Sequence, residues 1–429
     1  MTLTRRNMLR GSAAALAGAL APDMHAAPAA PLPYFAPHPF IEQNPKAVFV
    51  RRTRVAHKMD AEAKRSEGLR LARQIFVPSA RPGISISDRI ILKPNSTSLT
   101  PSRNRTAEEL YGTGIDPQFY EGLLMGMKEL GLTRFTFIDS TSYALWNLRG
   151  LLDINERLGI TTQDPERRPR NLREGWELTW SEVQDGVVFK RIPHYAPVNE
   201  PGTWMLNLAK WKGHSMGLTL CTKNEQGLVV HPFTQFCGGW PSLRSDTVKP
   251  EVNPRVEDLV NAGFERHLKL GYSRYDTAGS HANGANLRPI EQEIWAQKTA
   301  DNMSTLKTGF AMIEGIYGRD GDGFYVGDDY MTNLVMFGLN KFRVDVVGLW
   351  LGGHEPGNLH LYRILKERRL TDTFNPWEIP VYEWTDDGPM ARKLTDFPRA
   401  ALKTVYLPRP GEPALHLLNE PFDYDRNKV

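Results

Sequence analysis

Three short polar clusters in this sequence have residue types suited to chemistry, and each follows an apolar run of strand length. The first is Lys93-Pro94-Asn95-Ser96 after the run 89–92, with Asn104 and Arg105 further along its loop. The second is Asp139-Ser140-Thr141-Ser142 after 135–138. The third is Lys210-Trp211-Lys212-Gly213-His214-Ser215 after 204–208, running on into Thr219 and Lys223-Asn224. Ammonium groups beside amides, hydroxyls and an imidazole suit an anion such as a carboxylate or phosphate. Lys93, Lys210 and Lys212 are therefore assigned to hold the anion, with Asn95, Ser140, Ser215, Lys223 and Asn224 around it. Asp139 and His214 are assigned the handling of protons or of a divalent metal. These residue types leave open whether a metal or cofactor is bound.

Other patterns fail on their context. Gly213-His214-Ser215-Met216-Gly217 fits G-x-S-x-G, which needs a strand before the serine and a helix after it. The expected strand ends five residues too early, and Leu218 to Thr222 does not begin a helix. A serine hydrolase using Ser215 is the weaker alternative. Asp320-Gly321-Asp322-Gly323 resembles a calcium loop, but Phe324 and Met331 stand where an EF-hand needs oxygen ligands, so a glycine-rich turn is expected. His354-Glu355 starts like a zinc-protease helix, yet Pro356 and Asn358 break the pattern.

The clusters need a scaffold, and alternating elements supply one. Strands are expected at 47–50, 89–92, 135–138, 187–189, 204–208 and 308–313, and helices at 61–76, 117–130, 145–158, 255–270, 289–307, 342–351 and 358–369. Such alternation predicts an α/β fold with a mainly parallel sheet flanked by helices, carrying an inserted or appended α+β portion. Open sheets of this kind place ligands at the carboxyl ends of their strands, where all three clusters fall. The expected organisation is a Pro-rich arm over 31–46, α/β units over 47–160 and 161–384, and an extension over 385–429. Residues 236–254 and 316–330 read as loops.

The chain has 429 residues, with 53 Lys and Arg against 49 Asp and Glu, too small an excess for a nucleic-acid binder. Its two cysteines, Cys221 and Cys237, exclude a disulfide scaffold and a cysteine-ligated cluster. Arg5-Arg6, the apolar stretch 13–21 and the alanines around 26–29 read as a twin-arginine signal peptide over 1–30. The stretch is shorter than the roughly 20 residues of a membrane span. The expectation is export by the twin-arginine machinery to the periplasm, with no stable membrane insertion.

The pieces I-I-L-K-P-N (90–95), G-M-K-E-L-G (126–131), F-I-D-S (137–140), L-N-L-A-K-W-K-G-H-S-M-G-L-T-L-C-T-K-N (206–224) and V-D-V-V-G (344–348), in that order, resemble the domain-of-unknown-function family 362. Some members carry ferredoxin-type iron–sulfur modules. This chain lacks their cysteine run, so it has no cluster of its own. The resemblance implies architecture and site positions and leaves the reaction open. The expected function is that of an enzyme acting on a small anionic substrate, or else a non-catalytic periplasmic protein that binds a solute or cofactor.

Overall fold

The computed structural model describes residues 32–96, 106, 108–140, 143–163, 178–230, 233, 243–272, 276–277, 288–324, 326–407 and 415–425. The signal-like segment, Asn104, Arg105, Thr141, Ser142, Cys237 and residues 236–242 of the expected loop lie outside them.

Apolar strands build one ten-stranded sheet, and its order explains the rest of the molecule. From one edge it runs Gly388–Arg392, Val381–Thr385, Val48–Arg52, Asp329–Gly338, Phe310–Arg319, Thr203–His214, Arg89–Pro94, Phe135–Phe137 and Thr161–Thr162, with Gly217–Thr219 folding back on Thr203–His214. The five strands from Phe310–Arg319 to Thr161–Thr162 are mutually parallel. Val48–Arg52 is parallel to Val381–Thr385, while Asp329–Gly338 is antiparallel to both neighbours. The fold is α/β with a mostly parallel mixed sheet.

Alternation along the strands gives the sheet two apolar faces. Ile90, Leu92, Leu206, Leu208, Phe310 and Met312 face the helices Ala61–Ile75 and Pro117–Lys128. Ile91, Ala209, Trp211, Ala311 and Ile313 face Pro289–Thr305, Lys341–Leu351 and His360–Glu367. Asp60 and Asp116 cap the first two helices, accepting from Ala63 N and from Gln118 N and Phe119 N, interactions worth about 1 kcal/mol each. Those helices cross through glycines: a Cβ on Gly68 would lie 2.2 Å from Phe119 O, and one on Gly122 1.9 Å from Arg65 O. A third core, including Val188, Phe189, Ile192, Val256 and Val260, joins the hairpin Leu178–Glu182/Arg191–Tyr195 to the helix Val256–Lys269.

Several elements depart from expectation for local reasons. The helix expected over 145–158 is two, Tyr143–Leu148 and Leu151–Leu158, parted at Gly150 with φ of 72°. Residues 187–189 form no strand, because the N–H groups of Val187, Val188 and Phe189 donate to the Asp301 carboxylate instead of to a ladder. The two ends of the loop expected over 316–330 are strand, residues 316–319 closing Phe310–Arg319 and 329–330 opening Asp329–Gly338. The turn between them is tied by carboxylates. Asp322 accepts from Phe324 N and Val326 N, and Asp320 from Asp328 N. Within the described residues, no helix is long and apolar enough to cross a membrane.

Candidate functional site

The sheet order reverses between Arg89–Pro94 and Thr203–His214. From Arg89–Pro94 the chain builds outward through Phe135–Phe137 and Thr161–Thr162, then returns to the other side of Arg89–Pro94 with Thr203–His214. At such a reversal the connections leave in opposite directions and open a crevice beyond the strands' carboxyl ends.

Lys93, Asn95, Asp139 and Asn224 meet on one side of this end. Lys93 Nζ lies 3.3 Å from Asp139 Oδ2 and donates to Asn224 Oδ1 at 2.9 Å and to Pro94 O at 2.8 Å. Asp139 Oδ2 also accepts from Ser96 Oγ at 2.6 Å and from Ser96 N at 3.3 Å. Asn224 donates to Lys93 O and Asn207 Oδ1, and Asn95 reaches it at 3.4 Å. Burial pushes the Lys93 ammonium below its ordinary pKa, Asp139 opposes that, and the positive charge of Lys223 adds to it. Gly227 closes over the pair. A Cβ there would lie 2.7 Å from Asp139 Oδ1 and 2.9 Å from Lys93 Nζ.

The loop that carries Lys223 and Asn224 is fixed from beneath. Asp345, in the V-D-V-V-G segment, accepts from Cys221 N at 2.7 Å and Thr222 N at 2.8 Å, satisfying the first N–H groups of the short helix Cys221–Asn224. Burial raises its pKa to about 6 against these N–H bonds. Glu225 accepts from Asn207, Thr308 and Lys341. Cys221 itself is a buried free thiol.

Lys210 sits elsewhere. Lys93 is level with Asn207 across the strand pair, and Lys210 lies three residues on, so it points to the opposite face. There it pairs with Glu314 at 2.6 Å, 3.5 Å above the Tyr317 ring, beside the Lys64–Asp116 pair at 2.6 Å. The structure does not bring it to Lys93. Lys212 and His214 follow at the strand's end. Lys212 donates to Gly323 O at 2.6 Å, and the His214 ring lies 6.0 Å from that of Phe324. Ser215 is buried at the turn of the hairpin formed by Thr203–His214 and Gly217–Thr219. The strand reaches that turn without the expected gap, but a second strand follows where a nucleophile elbow needs a helix. Ser140 follows Asp139 and is half-buried.

A family-level comparison matches residues 90–350, more than half of the chain, to Domain of unknown function (DUF362). The chain belongs to this family. The match begins at the strand that delivers Lys93 and ends in the helix that carries Asp345, so the family's span includes these strand ends. No curated protein and no solved structure matched the chain.

Sequence reading missed Asn207, a single polar residue within an apolar run, and Glu225 and Lys341, whose pairing joins segments far apart in sequence. It also missed Arg149 and Arg319. The latter ends a parallel strand, the same positional signal that found Lys93. Within the described residues, no group of three or more His, Cys, Asp or Glu is placed to hold a metal ion. A cavity of about 690 Å³ lies away from the strand ends, lined by Arg266, Lys366, Arg369 and Phe374 among others. Its cations cluster at the C-terminal ends of Val256–Lys269 and His360–Glu367, where they offset helix dipoles. Chemistry therefore weighs for the strand-end residues over this cavity.

Proposed function

We propose that this family member is an exported periplasmic enzyme acting on a small anionic substrate, a carboxylate or phosphate, at the strand-order reversal. The observation that carries the reading is the position of Lys93, Lys212 and His214 in the last residues of two neighbouring parallel strands, and of Asp139 just past the end of a third. Lys93, Lys212 and Lys223 attract the anion, Asn95, Asn224, Ser140 and Ser215 orient it, and Asp139 and His214 exchange protons with it. Export through the twin-arginine machinery is supported by Arg5-Arg6 and the small apolar stretch behind them.

A second reading, a non-catalytic solute-binding protein, is favoured by the closeness of Lys93 and Asp139. A carboxylate already held by Ser96 and a lysine is a good wall and a poor base. Turnover of a panel of phosphomonoesters and hydroxy- and keto-acids separates the two. Turnover that falls at least about 10²-fold in His214→Ala supports the enzyme. Ser215→Ala should then lose no more than about tenfold, the worth of one neutral hydrogen bond. Tight binding without turnover establishes the binder. Labelling of Ser215 by a serine-reactive phosphonate contradicts both readings.

A further inference from the structure

A small cavity of about 10 Å³ lies against the strand-end hairpin, walled by Leu218 of that hairpin and by Leu359. Polar side chains from four elements line it: Lys223 of the short helix Cys221–Asn224, Trp295 of the helix Pro289–Thr305, His360 at the start of His360–Glu367, and Tyr406 of the strand Tyr406–Leu407. Its place in the fold ties it to the candidate site. Leu218, Trp295, Leu359 and Tyr406 pack in one apolar cluster with Ile91, which stands two residues before Lys93 on the same strand. The cavity is therefore on the face of the sheet from which Lys93 projects. Burial lowers the pKa values of Lys93 and Lys212, and the charge of Lys223 is near enough to lower both further.

The polar groups of this cavity are donors. Trp295 and His360 are 3% and 1% exposed, and among the described residues neither the Trp295 indole N–H nor His360 Nε2 has a hydrogen-bond partner. A buried donor left unbonded is costly, so two beside one cavity mark a place where something else accepts. On the other side of the imidazole, the Tyr406 hydroxyl lies 3.0 Å from Nδ1. With that hydroxyl donating to Nδ1, the ring's own proton is on Nε2. Burial pushes the His360 pKa down against the Glu293 charge and the Gln292 carbonyl, so the ring is neutral and carries that one proton. The Lys223 ammonium is a third donor. A space of about 10 Å³ admits one oxygen-sized atom. A water there would need acceptors for its own two hydrogens, and Leu218 and Leu359 supply none. A carboxylate or phosphate oxygen carries no hydrogen and can accept from all three donors.

We propose that Lys223, Trp295 and His360 form the seat for one oxygen of the bound anion, with Tyr406 fixing the tautomer that makes His360 a donor. The assignment rests on the anion-binding reading above and extends its binding residues to an indole and an imidazole outside the three strand-end clusters. His360 and Tyr406 lie beyond residues 90–350, so the part of the chain that follows the family match supplies part of the seat.

The test is calorimetric titration of the full chain at about pH 7.5 with inorganic phosphate and with acetate, repeated on Trp295→Phe, which removes the indole N–H and keeps an aromatic ring. An anion that binds the unaltered chain should bind this variant at least about tenfold more weakly, the worth of a hydrogen bond to a charged group. An affinity within about threefold of the unaltered chain's overturns the seat and leaves the anion-binding reading in place. Crystals of the unaltered chain soaked in whichever anion binds decide the matter whether or not the variant folds. An anion oxygen within hydrogen-bond distance of Trp295 Nε1 and His360 Nε2 is expected. The anion bound elsewhere, with only water or nothing in the cavity, overturns the seat alone. No binding of either anion to the unaltered chain at tens of millimolar overturns the anion-binding reading and the seat with it.

Discussion

Asp139 carries more of the site than any other single side chain. It takes hydrogen bonds from both groups of Ser96 and faces the Lys93 ammonium with both side chains almost fully buried. Breaking a buried pair by neutralising one partner leaves the other charge without compensation, at a cost of about 3–5 kcal/mol. Asp139→Asn should therefore lower stability to urea by an amount of that order. A loss under about 1 kcal/mol would show that the Lys93 charge is not confined as described. The strand-end positions of Lys93 and Asp139 were legible because each directly follows an apolar run, whereas Lys212 and Asn224 were legible only as polar residues of the segment 210–224. Lys210 was legible as polar, but its face depends on strand register, which a single run does not reveal. Arg149 read as an ordinary helix residue, since nothing local shows that a helix breaks beside it at Gly150.

At the scale of elements, two contacts bind the helical layers and each makes a prediction. Gly122 lets the helices Ala61–Ile75 and Pro117–Lys128 touch backbone to backbone, so Gly122→Ala must force them apart. A loss of about 1–3 kcal/mol or more is expected in urea unfolding; an unchanged midpoint would contradict the crossing. On the other face, His267 joins three helices: Nδ1 lies 2.8 Å from Glu293 Oε1 and Nε2 lies 2.9 Å from Glu367 Oε2. Burial pushes the imidazole pKa down, but the bonds to Glu293 and Glu367 outweigh it and hold the pKa above 6.5. A raised folded-state pKa means that this stability is fully present below about pH 6.5 and is lost as pH rises through the raised value. His267→Gln should cost more at pH 6 than at pH 9 in paired unfolding curves, and an equal cost at both would contradict a protonated bridge. Long amphipathic helices such as Ala61–Ile75 were legible from periodicity. The strand Asp329–Gly338 was not, because an aspartate-rich turn runs directly into it and hides its start. Residues 187–189 were apolar enough for a strand, but the distant Asp301 takes their N–H groups.

For the whole molecule, alternation of strand and helix gave the α/β class and the mainly parallel sheet. It could not give the antiparallel strand at the centre or the order of strands, and that order is what puts the reversal beside Arg89–Pro94. The export proposal is testable without knowing the reaction. Replacing Arg5 and Arg6 together by lysine keeps the charge and removes the guanidinium pair, and should leave precursor in the cytoplasm. Normal periplasmic accumulation would contradict it. The central claim is the location of the anion, and the most direct measurement is anomalous diffraction from crystals soaked in tungstate, a heavy dianion. The account predicts a peak at the strand ends, within hydrogen-bond reach of Lys212 and beside the Lys93–Asp139 pair. A peak confined to the cavity of about 690 Å³ beside Arg266, Lys366 and Arg369, with none at the strand ends, would contradict it.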